Sequence, residues 1–485
     1  MRYISFLAVY IALLAPSISA DSNLSEPLSS QQILPDNFKP PQVFQNVNLL
    51  RNTNLEKGYV RETVNVVIEN IDFKPQTEYY IPFSVDVVGN VGGLEVRDKK
   101  TPGPSFKTEL VEYDPYSPTQ FFRTTFPQPL SPKTQLTLSI TYHILSTLTP
   151  LPFKIGQGDR QYLRHTFSTY TPSAYPTLKQ KTKLKFPSPD VPDAIGGSPE
   201  RQGSTFTYGP YNDLVPAGAL EPASVRYEFT KPVIHATLLE RDIEISHWGG
   251  NLATEERYWL TNQGAHLKDN FNRVQWAAAQ YYKPPTSALR DLNVPLKVGS
   301  LNPYFTDDIG NVSTSRFRSN KREANLELKP RYPVFGGWKY SFRIGWDADL
   351  KSFLRVLKSA EGGHVLKVPF LEGPKMGEGV SYGKVELQVV LPEGAKNVKF
   401  ETEVPLVKVE ETVRRTFMDT VGRTTLKLTA CNVADEARDK PLIVTYDYPF
   451  SAAFRKPVTI FLGIAAVFLT AWGIGRLDVS IGKQS

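Results

Sequence analysis

Residues 135–142, Gln-Leu-Thr-Leu-Ser-Ile-Thr-Tyr, place Leu136, Leu138, Ile140 and Tyr142 at alternate positions. Residues 339–346, Lys-Tyr-Ser-Phe-Arg-Ile-Gly-Trp, do the same with Tyr340, Phe342, Ile344 and Trp346. Alternation puts every second side chain on one face of an extended chain, so each run reads as a β-strand with one buried face. Val225, Tyr227 and Phe229, with Arg226 and Glu228 opposite, repeat the pattern. So do Val385, Leu387, Val389 and Leu391, closed by the turn Pro392-Glu393-Gly394. Thirty-nine prolines against three methionines also favour strands and turns over a helical bundle. Helical periodicity is confined to short stretches. Leu350, Phe353, Leu354 and Leu357 fall at i, i+3, i+4 and i+7 and predict a short amphipathic helix. Residues 271–282 predict another, stopped by Pro284-Pro285. The fold class that follows is mainly β, with sheets packed face to face and a few short helices.

The two opening strands share a lead-in. Thr125-Phe126-Pro127 precedes the first and Arg331-Tyr332-Pro333 the second, each across a short turn. The echo predicts two similar, tandem β-sandwich-like domains, over residues 21–230 and 231–456, joined near Lys231-Pro232. Residues 21–40 read as a polar, Pro-rich leader to the first.

Both ends of the chain carry membrane-related signals. Residues 457–475 hold no charged side chain and are mostly apolar, between Arg455-Lys456 and Arg476. As a helix this run is about 28 Å long, close to the hydrocarbon thickness of a bilayer. Arg2, the apolar run Ile4–Ala15 and the small residues Ser17-Ile18-Ser19-Ala20 read as a secretory signal peptide over residues 1–20. Signal peptide and span together predict a single-pass protein with its bulk outside the cytosol and a tail over residues 476–485. Both flanks of the span are basic, so the signal peptide alone orients it. Thr459 and Gly463, Ala466 and Thr470, and Ala471 and Gly475 are small pairs at i, i+4, which let helices approach closely in lipid. Trp472 suits an interfacial anchor.

The net charge of +7 is spread along the chain. Lys181, Lys183 and Lys185 alternate as on the solvent face of a strand, and Arg316, Arg318, Lys321 and Arg322 form a denser cluster. Either group reads as solvated surface, with anionic head groups or phosphate as the sharper alternative; no nucleic-acid partner is assigned. Cys431 stands alone, so an intrachain disulfide is excluded and stability must come from large cores.

Catalytic motifs are missing: there is no His-Glu-x-x-His, Gly-x-Ser-x-Gly or P-loop, and no histidine pair at metal-ligand spacing. Asp347-Ala348-Asp349 offers two carboxylates that a divalent cation accepts as ligands, or a helix cap at Asp349. Asp307-Asp308 reads as a turn. Asn-x-Ser/Thr acceptors occur at Asn311 and at Asn23, the latter almost at the cleavage site.

Four blocks resemble the ribophorin I family: Ile245-Ser-His-Trp-Gly-Gly-Asn-Leu-Ala-Thr-Glu-Glu256, Tyr304-Phe-Thr-Asp-Asp-Ile-Gly-Asn-Val-Ser-Thr-Ser315, Arg331-Tyr-Pro-Val-Phe-Gly-Gly-Trp338 and Leu391-Pro-Glu-Gly-Ala-Lys-Asn397. Their order and spacing match, and Arg476-Leu-Asp-Val-Ser-Ile481 is similar to the family's segment after its span. The resemblance is strong over residues 235–481 and looser before. The His-Trp-Gly-Gly block holds one glycine more than the usual form. Animal members carry a cytosolic domain after the span, and the short tail here resembles fungal members.

The resemblance implies an accessory subunit of the oligosaccharyltransferase of the endoplasmic reticulum membrane. That complex moves a preassembled oligosaccharide from dolichol diphosphate to Asn of Asn-x-Ser/Thr in nascent chains. It implies two β-rich luminal domains, and as partners the other subunits, a polytopic catalytic subunit among them, with the protein translocon, nascent polypeptides and the membrane. No catalytic, metal or cofactor residue is assigned to this chain. Two alternatives stay open: a free-standing single-pass receptor or cargo-binding ectodomain, and a metal-dependent glycosyltransferase using Asp347 and Asp349 with Mn²⁺ or Mg²⁺.

Overall fold

The computed structural model describes residues 38–101, 103–357, 362–416 and 419–476. The signal-peptide stretch, Asn23 and the tail after Arg476 lie outside the described residues. Strands dominate, and among the described residues they form seven sheets.

The largest sheet of the first half contains Phe44–Asn54 (β1), Val60–Asn70 (β2), Val91–Asp98 (β3), Gln135–Ile144 (β4), Gln180–Lys185 (β5), Glu200–Gln202 (β6) and Thr205–Tyr211 (β7). Its order is β6-β7-β5-β1-β2-β4-β3. The largest sheet of the second half contains Ile234–Ser246 (β8), Asn251–Asn262 (β9), Leu301–Asp307 (β10), Lys339–Asp349 (β11), Val380–Val390 (β12), Lys408–Arg414 (β13) and Arg423–Ala434 (β14). Its order is β13-β14-β12-β8-β9-β11-β10, with the short strand Gly310–Asn311 beyond β10. The two orders correspond strand for strand. Pairing sense corresponds too: β1 runs parallel to β5 and β8 parallel to β12, and the other neighbours are antiparallel. Each half adds a four-stranded and a three-stranded sheet whose strands also follow one another in the same order.

Alternation explains which faces are buried. In β4, Leu138, Ile140 and Tyr142 point inward, and in β11, Tyr340, Phe342, Ile344 and Trp346 do. These strands take the same place in their sheets. Their lead-ins differ: Phe126-Pro127 lies inside the strand Thr119–Leu130, whereas Tyr332-Pro333 lies in a bend. In β5 the lysines 181, 183 and 185 face away from the core, as the alternation predicts. One apolar core gathers buried residues from Phe44 to Val233, the other from Ile234 to Tyr446.

Among the described residues, two helices run beyond a single turn. Arg273–Tyr282 (α1) falls where the sequence places it: the Asn272 carboxamide accepts from the amides of Val274 and Gln275, and Lys283 leaves the helix at a left-handed φ of 43° ahead of the prolines. Arg455–Arg476 (α2) is long and apolar enough to cross a membrane by length and composition, with mean hydropathy 2.1 and none of its apolar window buried. The helix expected over Leu350–Leu357 does not form. Leu350–Ser352 makes a single 3₁₀ turn, and Leu354–Val356 is a strand paired with Gly363–Pro369. A 3₁₀ turn also brings i and i+3 together, so Leu350 and Phe353 are buried without an α-helix.

The halves are joined by more than the chain. His266–Leu267 pairs with Lys154–Ile155 across the join. The Gln161 carboxamide donates to the carbonyls of Phe229 and Lys231 and accepts from the Ala265 amide. Asn432 donates to the carbonyls of Gly89 and Val91, and Gly92 lies so close that a Cβ there would stand 1.7 Å from the Asn432 carbonyl oxygen. Only glycine fits at that approach.

Candidate functional site

The acidic candidates are spent on local structure. Asp347 accepts from the carboxamides of Asn251 (2.9 Å) and Asn302 (3.0 Å), tying β9 and the start of β10 to β11. Asp349 caps the 3₁₀ turn through the Lys351 amide (3.0 Å). Among the described residues, no three His, Cys, Asp or Glu side chains gather as metal ligands would. Asp307 closes the turn predicted for it by accepting from the amides of Ile309 and Gly310, and Arg331 bonds to it. Burial opposes its charge, but the Arg331 bond and those two amides hold the Asp307 carboxyl below the usual carboxylate range. Arg331 also reaches the carbonyls of Gly310 and Asn311. The Asn311 backbone is therefore fixed while its side chain is exposed, with buried Val312 anchoring the next position.

Charged groups that the sequence analysis passed over are buried in both halves. On β1 and β2, Arg51 meets Glu62 at 2.5 and 3.0 Å, and the Tyr142 hydroxyl donates to the same carboxylate. Burial opposes ionisation of Glu62, but the Arg51 charge and hydrogen bonds outweigh it and keep the group below the usual range. On β8 and β9, Arg241 pairs with Glu256, Tyr258 donates to that carboxylate at 2.7 Å, and Glu372 takes the guanidinium's other arm at 2.8 Å. Each pair joins the first two strands of its sheet.

A third cluster lies where the halves meet. Glu436 of the second half accepts from Lys57 (3.0 Å) and the Tyr59 hydroxyl (2.6 Å), with Arg61 and His143 at 3.8 and 3.7 Å. Burial works against its charge, yet His143, Tyr59 and Lys57 bring Glu436 down to about 2. Burial pushes His143 down to about 4, against the pull of Glu436, so the imidazole is neutral at neutral pH. Lys440 pairs with Glu95 beside it. Two clefts of about 340 and 330 Å³ flank this seam and share Arg61 and Glu436. The arrangement is a fastening between halves.

In α2, the hydroxyls of Thr459 and Thr470 bond back to the carbonyls of Arg455 and Ala466. At 3.6 residues per turn, Thr459, Gly463, Ala466 and Thr470 fall within about 60° and form one stripe. Ala471 and Gly475 lie about 130° away on another face. The Arg476 guanidinium sits 4.2 Å from the centre of the Trp472 ring, a cation–π contact at the helix end.

The family model for ribophorin I matches residues 44–475, nearly all of the described chain. The chain belongs to the ribophorin I family. Relatives agree over most of this chain. The chain is 30% identical to dolichyl-diphosphooligosaccharide–protein glycosyltransferase subunit 1B of Arabidopsis thaliana over 456 residues, 92% of this chain and 96% of that protein. It is 30% identical to subunit 1 of Schizosaccharomyces pombe, over 89% of this chain and 95% of that one. It is 29% identical to subunit 1 of Caenorhabditis elegans, over 90% of this chain and 73% of that one. The match begins on β1, so the ribophorin I likeness seen in the sequence over residues 235–481 extends through the first half.

The blocks that carried the ribophorin I resemblance do not form one site. His247–Gly250 is the turn between β8 and β9, Tyr304–Ser315 covers the Asp307 turn, and Arg331–Trp338 leads into β11. Glu62 could have been found in the sequence. It holds an inward phase among Val60, Val64 and Val66, where a carboxylate needs a buried partner. Glu436 could not, because its partners come from the other half.

Proposed function

We propose that this chain is a non-catalytic subunit of the oligosaccharyltransferase complex, anchored by one span in the endoplasmic reticulum membrane with its β-rich bulk in the lumen. The match to ribophorin I over residues 44–475 carries the reading, with relatives named as subunits of that enzyme at about 30% identity over nearly their whole length. The use of Asp347 and Asp349 for hydrogen bonds within the fold supports a structural contribution, with chemistry left to a polytopic partner. The translocon and nascent polypeptides belong to the same reading as partners met in the lumen. The repeated strand order supports two domains, residues 21–230 and 231–456.

Affinity purification of the full chain from solubilised membranes tests this. It should bring down the polytopic glycosyltransferase subunit in near-equal amount, and a lone species of monomer size would favour a free-standing receptor instead. Endoglycosidase treatment should shift the chain's mobility, and Asn311→Gln should abolish that shift if Asn23 is skipped. Gly463→Leu, on the stripe with Thr459, Ala466 and Thr470, should weaken co-purification. Unchanged recovery of partners would refute a packing role for that stripe.

A further inference from the structure

The turn between the first two strands is covered in one half and open in the other. In the first half it spans residues 55–59. Leu55 and Tyr59 are buried, and the Gly58 amide donates to the Glu378 carbonyl of the second half at 2.9 Å. In the second half it is His247-Trp248-Gly249-Gly250. Ser246 caps it by accepting from the Gly249 amide, and Gly250 takes a φ of +63° that a side chain would disfavour. Trp248 at its tip is 70% exposed.

What lies beside this open turn identifies its neighbour. His247 bonds to the Tyr446 hydroxyl at 2.7 Å and lies 4.5 Å, ring to ring, from Tyr448. The chain then runs through the single helical turn Phe450–Ala453 directly into α2. His247, Trp248, His364, Tyr448, Phe450 and Ala453 line one cleft of about 740 Å³. Phe450 is 80% exposed and Phe454 49% exposed, both next to the start of the apolar helix. Arg415, beside Gly422 at the start of β14, and Arg455, beside Gly394 just past β12, add positive charge at the same end of the sheet. This end lies opposite the seam: β8 runs from Ile234 at the seam to Ser246 at the turn, about 40 Å for its 13 residues.

We propose that the Trp248 turn, with Phe450 and Phe454, rests in the head-group region of the bilayer and sets the tilt of the β-rich body over the membrane. The occupant is glycerophospholipid. Tryptophan and phenylalanine bury apolar area at the polar–apolar boundary, and the arginines meet lipid phosphates. The second half thereby covers its open turn with lipid, as the first covers its own with protein. This rests on Arg455–Arg476 spanning the bilayer, and the test separates the two.

p-Benzoylphenylalanine placed singly at Trp248, Phe450, Phe468 or Tyr281 in the full chain, reconstituted in phosphatidylcholine vesicles with radiolabelled acyl chains, reports lipid contact on irradiation. Tyr281 is 89% exposed on α1, which neighbours the seam end of β9, and serves as the dry control. Positions 248 and 450 should take up at least tenfold more lipid label than 281. Label at 468 with background at 248 and 450 overturns the proposal and leaves the span standing. Background at 468 as well overturns both. Crosslinking of 248 to another protein, with the full complex reconstituted, also overturns it.

Discussion

The turns 55–59 and 247–250 occupy the same place in two copies of one strand order, yet one is sealed under protein and the other carries an exposed tryptophan. The difference shows that each half presents the same end in the same direction. The first half's turn meets the second half, and the second half's turn meets the segment that becomes α2. A head-to-tail repeat leaves one such end uncovered, and its sequence, His-Trp-Gly-Gly against Leu-Glu-Lys-Gly-Tyr, differs accordingly.

The largest test of the likeness between halves is at their buried ion pairs. Glu62→Ala takes away the carboxylate paired with buried Arg51 and should cost about 3–5 kcal/mol in thermal unfolding, whereas Glu256→Ala leaves Arg241 paired with Glu372 and should be destabilising by less. If one is destabilising and the other neutral, the halves are alike in topology but not in what holds them.

The seam is tested next. Gly92→Ala drives a Cβ into backbone atoms of Asn432, which cannot swing aside, so it should cost about 3 kcal/mol and expose the join near Lys231 to protease. Unchanged proteolysis would mean that the halves are held elsewhere.

Acid should weaken both halves, the second through His247, which burial pushes down to about 4, and the first through two histidines. Burial pushes both His143 and His165 down to about 4. Each stays neutral when folded but takes a proton more readily when unfolded. Their contribution is therefore complete above the unfolded value near 6.5 and is lost as pH falls toward 4, on the order of 2 kcal/mol each. Glu436, held near 2, keeps its contribution above the ordinary carboxylate value of 4.5 and loses it as pH falls toward 2. His165→Leu should flatten the melting-temperature profile between pH 6.5 and about 4, and an unchanged slope would contradict the assignment.

The smallest effect separates the halves. Helix α1 lies between β9 and β10, and the corresponding stretch of the first half, between β2 and β3, has the single turn Val85–Val88 as its helical part. Asn272→Ala removes its cap and should cost about 1 kcal/mol, seen as faster amide exchange at residues 274–276 with the first half unaffected.

Much of this was legible in the chain because alternation along a strand is a local property. The inward phases of β4 and β11, the outward lysines of β5, the proline-stopped α1 and the apolar α2 all followed from neighbours in sequence. The stretch Leu350–Leu357 did not, because apolar residues three apart suit a 3₁₀ turn as well as an α-helix, and pairing with Gly363–Pro369 decided the outcome. The duplication was visible only at β4 and β11, since a strand order resides in hydrogen bonds between distant segments. The Glu436 fastening was invisible for the same reason: its partners Lys57, Tyr59, Arg61 and His143 lie in the other half.

In the proposed function this chain supports a glycosyltransferase without performing the transfer. A sequon-peptide glycosylation assay with lipid-linked oligosaccharide, run on the affinity-purified assembly and on the isolated chain, tests it most directly. The assembly should glycosylate the peptide and the isolated chain should not; transfer by the isolated chain would make it an enzyme in its own right.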